Sequence, residues 1–273
     1  MLKKFNMSQG LVDAANHLVK GWNKYLIPAL LLGLSTFTFT RTISIVTNKY
    51  SIPLVENQYQ AFNEAIVPII LIGSTLLIYI LFVLIMQTTL IKVTDDLIED
   101  RISSFREQFL FVLKRLGRIL LANIIAGIPI LLLLALTLGS LFRIGRGGLG
   151  IYFLGLIGIV IYVIFIAMIN QSIIIHDVSS IRAISNSIRV MKNNFFRYLF
   201  AMLGLGIANA IITNILSGEY IVIVIISAIV STIITTYFTA FNTSLYKQVT
   251  KPLDHSEILD IDTEELELIE DYE

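Results

Sequence analysis

Long apolar runs separated by short polar or basic stretches set the pattern of this chain. Six of them reach the roughly 20 residues that a helix needs to cross the hydrocarbon core of a bilayer. They lie from Tyr25 to about Val46, between Glu64 and Lys92, between Arg118 and Arg143, between Arg146 and His176, between Arg197 and Glu219, and between Glu219 and Lys247. Pro28, Pro68 and Pro129 fall inside the first three runs. Membrane helices tolerate proline where neighbours or water re-satisfy the freed carbonyls. A second pattern precedes the first, third and fifth runs. There, apolar residues recur at the spacing of one helical face, with amides and bases between them.

These three amphipathic stretches are GLVDAANHLVKGWNKYL (10–26), SFREQFLFVLKRLGRIL (104–120) and a third within SIRAISNSIRVMKNNFFRYL (180–199). They align without gaps. Leu11, Phe105 and Ile184 coincide, as do Ala15, Phe109 and Ile188, then Leu18, Val112 and Met191, then Trp22, Leu116 and Phe195. The base at the junction with the apolar run matches too (Lys24, Arg118, Arg197), and so do Gly33, Gly127 and Gly206 farther on. The second run of each pair ends in QTTLIK (87–92), QSIIIH (171–176) or NTSLYK (242–247), an amide followed by a hydroxyl residue and then a titratable group. The pattern therefore predicts an all-α polytopic membrane protein. Its six transmembrane helices form three parallel repeats of amphipathic helix plus helical hairpin, at about 8–92, 102–176 and 180–247. The transmembrane domain covers 1–253, and 254–273 is a separate acidic tail with the composition of a disordered segment.

Composition agrees with this reading. The chain is 56% hydrophobic and 15% charged, against roughly a quarter charged in soluble domains. It has no cysteine, which excludes disulfide and thiolate chemistry. The formal net charge of zero conceals a division: residues 254–273 hold ten acids and no Lys or Arg, so the remainder is basic. Sixteen of the twenty Lys and Arg residues fall on the side of the termini and four on the other. By the positive-inside rule, both termini of this multi-pass protein face the cytoplasm from the cell (inner) membrane. No cleavable signal peptide is visible, so the first run is expected to act as an uncleaved anchor.

Candidate chemistry is sparse. Arg41 is the one charge expected inside a span, which argues against proton-coupled transport. The amide and hydroxyl pairs Gln87–Thr88, Gln171–Ser172 and Asn242–Thr243 would form a ring at one depth if the repeats surround an axis. Such a ring could bind a polar solute or a lipid headgroup. The plainer reading is interhelical hydrogen-bond glue, worth about 0.6–2 kcal/mol per contact. Gly33, Gly127 and Gly206 are expected to let helices approach closely. Lys24, Lys114, Arg118, Arg189, Lys192 and Arg197 form an interfacial basic set suited to membrane lipids, including anionic headgroups. No catalytic, cofactor-binding or metal site is expected, nor a nucleic-acid partner. His176 and Asp177 alone are too few for a metal. The tail is a solvated segment or a contact for a basic protein partner or for the protein's own basic helices.

Residues 170–199, NQSIIIHDVSSIRAISNSIRVMKNNFFRYL, resemble a family of uncharacterised prokaryotic six-span membrane proteins. That family is similar to the membrane region preceding some glycerophosphodiester phosphodiesterase domains. The resemblance is carried by Ala183, Ser187, Val190, Lys192 and Asn193, by KGWNKYLIPALLLGL (20–34) and by FNTSLYKQV (241–249), and it extends over about 240 residues. It implies a bacterial or archaeal inner membrane. The diesterase activity is not carried over, because no such domain follows in this sequence. The functional expectation is an integral membrane protein without enzymatic activity, an accessory or scaffold that organises lipids or a membrane complex. The alternative is a transporter or channel for a small solute or lipid.

Overall fold

The computed structural model describes residues 4–49, 58–142, 146–215 and 221–250; residues 1–3, 50–57, 143–145, 216–220 and 251–273, the acidic tail among them, lie outside the described residues. Every element among the described residues is an α-helix: α1 (Met7–Lys20), α2 (Trp22–Lys49), α3 (Gln58–Ile98), α4 (Phe105–Phe142), α5 (Arg146–Ile166), α6 (Ile169–His176), α7 (Ser180–Lys192), α8 (Phe195–Ile215) and α9 (Ile221–Thr250). Five segments are each long and apolar enough to cross a membrane: Trp22–Val46, Val67–Ile98, Phe105–Ser140, Gly150–His176 and Ile225–Thr250. A sixth span results when α8 is counted with α7, from which it bends by 91°. These helices are those of a multi-pass membrane protein.

Local chemistry fixes the helix ends. Asn6 caps α1 by accepting from the Gln9 N–H at 3.2 Å, and Gly21 ends the helix with its own N–H on the His17 carbonyl. At the end of α3, Asp100 adopts a left-handed φ of 52°. There Arg101 N–H reaches the Asp96 carbonyl at 2.7 Å, the closing bond of a Schellman turn. Ser104 and Glu107 form a capping box at the start of α4, with Ser104 N–H donating to Glu107 Oε2 at 2.8 Å.

Two helices continue farther than the sequence pattern suggests. The middle amphipathic stretch does not stand apart from its span: both lie in α4, which is 38 residues long. The second apolar run does not stop at Lys92, because α3 continues to Ile98 and reaches 41 residues. At 1.5 Å per residue α3 is roughly 60 Å long, about twice the hydrocarbon thickness. Conversely, the fourth run is broken between α5 and α6. Ser187 of α7 bridges this break, donating to the Phe165 carbonyl at 2.7 Å and accepting from the Met168 N–H at 3.0 Å.

Packing is concentrated at one end, called here the basic end, where the N-terminal segment, the α3–α4 and α6–α7 connections and the end of α9 meet. One core cluster joins Phe5, Tyr25, Leu90, Met168, Met191, Tyr198, Phe241 and Tyr246. Another joins Ile91, Val112, Ile119, Ile173 and Ala183. Away from this end the helices carry exposed apolar side chains, including Leu77 and Ile78 of α3, Leu131 and Leu136 of α4, Leu154 of α5 and Ile207 of α8. Only 6% of the apolar window of α3 is buried, a surface that demands an apolar solvent.

The glycine expectation holds at one position of three. At Gly33 of α2 an added Cβ would come 2.7 Å from Thr232 Oγ1 of α9, so the helices are close there. Gly127 and Gly206 face open space, and the close approach expected at both is absent. The tight positions are elsewhere. Gly10 lies against Leu245, Gly21 against Leu97, and Gly155 against Thr137.

Candidate functional site

The continuation of α3 past Lys92 builds the most concentrated polar feature at the basic end. On a helix, Lys92 shares a face with residues three and four ahead. Its Nζ meets Asp95 Oδ2 at 3.1 Å and Asp96 Oδ1 at 2.7 Å. Asp96 also accepts from Ser103 Oγ at 2.5 Å and from Gln108 Nε2 at 3.1 Å, which draws in the start of α4. From α9, Lys247 Nζ lies 2.6 Å from Asp95 Oδ1, an ion pair off the hydrogen-bonding direction, and 2.5 Å from Glu99 Oε1. Arg101 sits 3.7 Å from both Asp95 and Glu99. Lys92, Asp95, Asp96, Gln108 and Lys247 are all buried. Three cations face three carboxylates, so the group is close to neutral. Burial of such charges is sustained by mutual pairing and additional hydrogen bonds. Phe111 of α4 completes the site, with Lys92 Nζ 4.7 Å and the Arg115 guanidinium 3.6 Å from its ring centre.

Sequence reasoning singled out Lys92, His176 and Lys247 as the titratable ends of three similar stretches, but it missed Asp95, Asp96, Glu99 and Gln108. Asp95 and Asp96 lie on the same helix as Lys92, in the part of α3 that continues past the expected end of the second span. The signal was present. VTDDLIED (93–100) offers acids at i+3 and i+4 from Lys92, and no helix breaker intervenes. The His176 ring lies 5.5 Å from that of Tyr246.

The six ring candidates are placed as follows. Thr88, Gln171, Ser172, Asn242 and Thr243 are buried and Gln87 is half-buried. No hydrogen bond joins any two of them among the described residues. Thr88 and Thr243 donate to carbonyls of their own helices, Leu84 and Thr239. Ser172 accepts from Asn186 at 3.2 Å and lies against the Tyr246 hydroxyl, while Asn242 lies against the Tyr198 hydroxyl. Gln171 Oε1 and Asn242 Oδ1 are buried without a hydrogen-bond partner. Interhelical amide bonding does occur elsewhere, where Asn123 donates to Asn170 at 2.9 Å.

The junction bases have specific partners. Lys24 Nζ donates to the Arg101 carbonyl at 3.3 Å, ahead of α4. Arg118 donates to the Asp177 carbonyl at 3.0 Å, ahead of α7. Arg197 donates to the Phe5 carbonyl at 2.5 Å, ahead of α1. Lys114, Arg189 and Lys192 are exposed. Asp177 also holds a bidentate pair with Arg115, both bonds 2.8 Å, and meets Arg118 at 2.9 Å. Partial burial alone would raise the Asp177 carboxyl, but the hydrogen bonds and charge of Arg115 and Arg118 outweigh it and hold the group below its ordinary value.

Among the described residues no cluster of His, Cys, Asp and Glu is arranged to hold a metal ion. The ionic group is therefore a tie between α3, α4 and α9, with every carboxylate engaged by a cation. Set against family models, curated proteins and solved structures, the chain matches none.

Proposed function

We propose that this is a non-enzymatic scaffold of a prokaryotic cell membrane that organises lipids or a membrane complex, with both termini in the cytoplasm. The observation that carries the reading is the uneven distribution of packing. The basic end is buried, ion-paired and hydrogen-bonded, whereas the apolar helices beyond it keep most of their surface for lipid. A packed end with lipid-facing apolar helices suits a protein that holds lipids or a partner. The acidic tail is a further candidate contact for a basic protein partner.

The reading includes three parallel repeats closed in a ring. Three contacts support it. Each junction base binds the carbonyl just ahead of the next amphipathic segment, and the third base returns to the first segment. Likewise, α1 packs on α9, the start of α4 on α3, and α7 on α6. In each case an amphipathic segment rests on the second span of the preceding unit. The experiment is purification in mild detergent followed by native mass spectrometry. A scaffold of this kind retains lipid or one stoichiometric partner; a bare monomer under conditions that preserve its fold contradicts the proposal.

A transporter or channel is the second reading, favoured by the unpartnered Gln171 Oε1 and Asn242 Oδ1 in the interior. If these amides serve a passing solute, replacing both with leucine abolishes flux in vesicles while sparing lipid retention.

A further inference from the structure

At the basic end, an open surface cavity of about 470 Å³ is lined by Lys4, Phe5, Asn6, Met7, Ser8 and Arg197. Its wall is anchored. The Phe5 side chain is buried in the main core. Phe5 N–H donates to Asn194 Oδ1 at 2.7 Å, its carbonyl accepts from Arg197, and Asn6 N–H donates to Gln248 Oε1 at 3.2 Å. This short segment is thus tied to both the α7–α8 bend and the end of α9.

The charge of the cavity is one-sided. Five cations at this end meet carboxylates: Arg115 and Arg118 share Asp177, and Lys92, Arg101 and Lys247 share Asp95, Asp96 and Glu99. Among the described residues, Lys4 and Arg197 have no such partner and no acid lines the cavity. The Phe5 carbonyl occupies one guanidinium nitrogen of Arg197. The others have no partner among the described residues and suit the bidentate geometry that carboxylates and phosphates accept, and Lys4 adds a point charge.

Position selects the source of the anion. Arg197 stands in the first turn of α8, beside the 91° bend that turns the chain from α7 into an apolar helix. Its neighbours Phe196 and Phe200 are 70% and 69% exposed. A cation at the mouth of an anchored cavity, next to bare aromatic rings on a span, suits a phosphate that carries acyl chains.

We infer that this cavity holds the phosphate of an anionic lipid headgroup from the leaflet at the basic end. This rests on the lipid-organising scaffold reading and names one site within it. The test uses the full chain in nanodiscs of phosphatidylcholine with and without phosphatidylglycerol. Native mass spectrometry reads the retained lipid, and inorganic phosphate is titrated as competitor. The site predicts selective retention of phosphatidylglycerol that weakens about fivefold in Lys4→Gln and further in Arg197→Gln. Millimolar inorganic phosphate leaves it unchanged. Lys4 is exposed, so its variant carries the test even if Arg197→Gln does not fold. Retention that is equal in wild type and Lys4→Gln overturns this site while leaving the scaffold reading intact. Displacement by inorganic phosphate alone overturns the lipid assignment in favour of a free anion. Retention that emerges only when residues 254–273 are deleted overturns it in favour of the chain's own acidic tail. Loss of all lipid from the wild type contradicts both readings.

Discussion

Single residues decide how the basic end holds together. Asp95 lies between Lys92 and Lys247, and each lysine has a second carboxylate, Asp96 or Glu99. Because the charges share partners, their effects on stability are not additive. A double-mutant cycle of Asp95→Ala and Lys247→Ala should give a coupling energy of about 1–3 kcal/mol, measured as thermal or denaturant stability in detergent. A coupling near zero would mean that the network contributes nothing as a pair. Asp177 supplies a pH signature. Its carboxyl is held below the ordinary value of 3.8, so the folded protein binds that proton less readily than the unfolded chain. The stabilisation is present in full above the ordinary value and disappears as pH falls through the lower folded value. The melting-temperature difference between wild type and Asp177→Asn should therefore be largest near neutral pH and vanish in acid. Asn suits this position because Asp177 adopts a left-handed φ of 56°. At this scale the sequence was partly legible. The amide-to-base spacing pointed to Lys92 and Lys247, but pairing across helices separated by about 150 residues left no local trace.

At the scale of elements, the helix boundaries test the account. The three amphipathic stretches looked alike in sequence yet end differently. Gly21 stops α1, and Asn193 and Asn194 accompany the bend after α7. In the middle copy Gly117 has open space around it and helix α4 runs on. One glycine without a turn partner costs only about 1 kcal/mol in a helix, too little to break one supported at both ends. The break between α5 and α6 was invisible in the apolar run, because its compensation comes from α7. Ala183 and Ser187 are both fully buried. Ser187 satisfies the two backbone groups freed at the break. Ser187→Ala should lower stability by about 1–3 kcal/mol, the penalty for leaving buried polar groups unpaired. Ser185→Ala, on the exposed face of the same helix, should leave the melting temperature unchanged.

For the whole molecule, the apolar runs made the helical membrane class readable, because hydrocarbon spans leave few other solutions. The sequence did not show where the chain packs. Its apolar matches gave equal weight to every part of each span, whereas the buried clusters gather at one end. That end also carries the bonds from Lys24, Arg118 and Arg197 that link successive segments. The proposed scaffold depends on this end facing the cytoplasm, where anionic headgroups and the basic excess belong together. The absence of native cysteine makes this directly measurable. Single variants Glu56→Cys and Ser185→Cys, in intact cells, are treated with a membrane-impermeant maleimide before and after permeabilisation. The account predicts that position 56 labels in intact cells and position 185 only after permeabilisation. Labelling of 185 but not 56 in intact cells would contradict it.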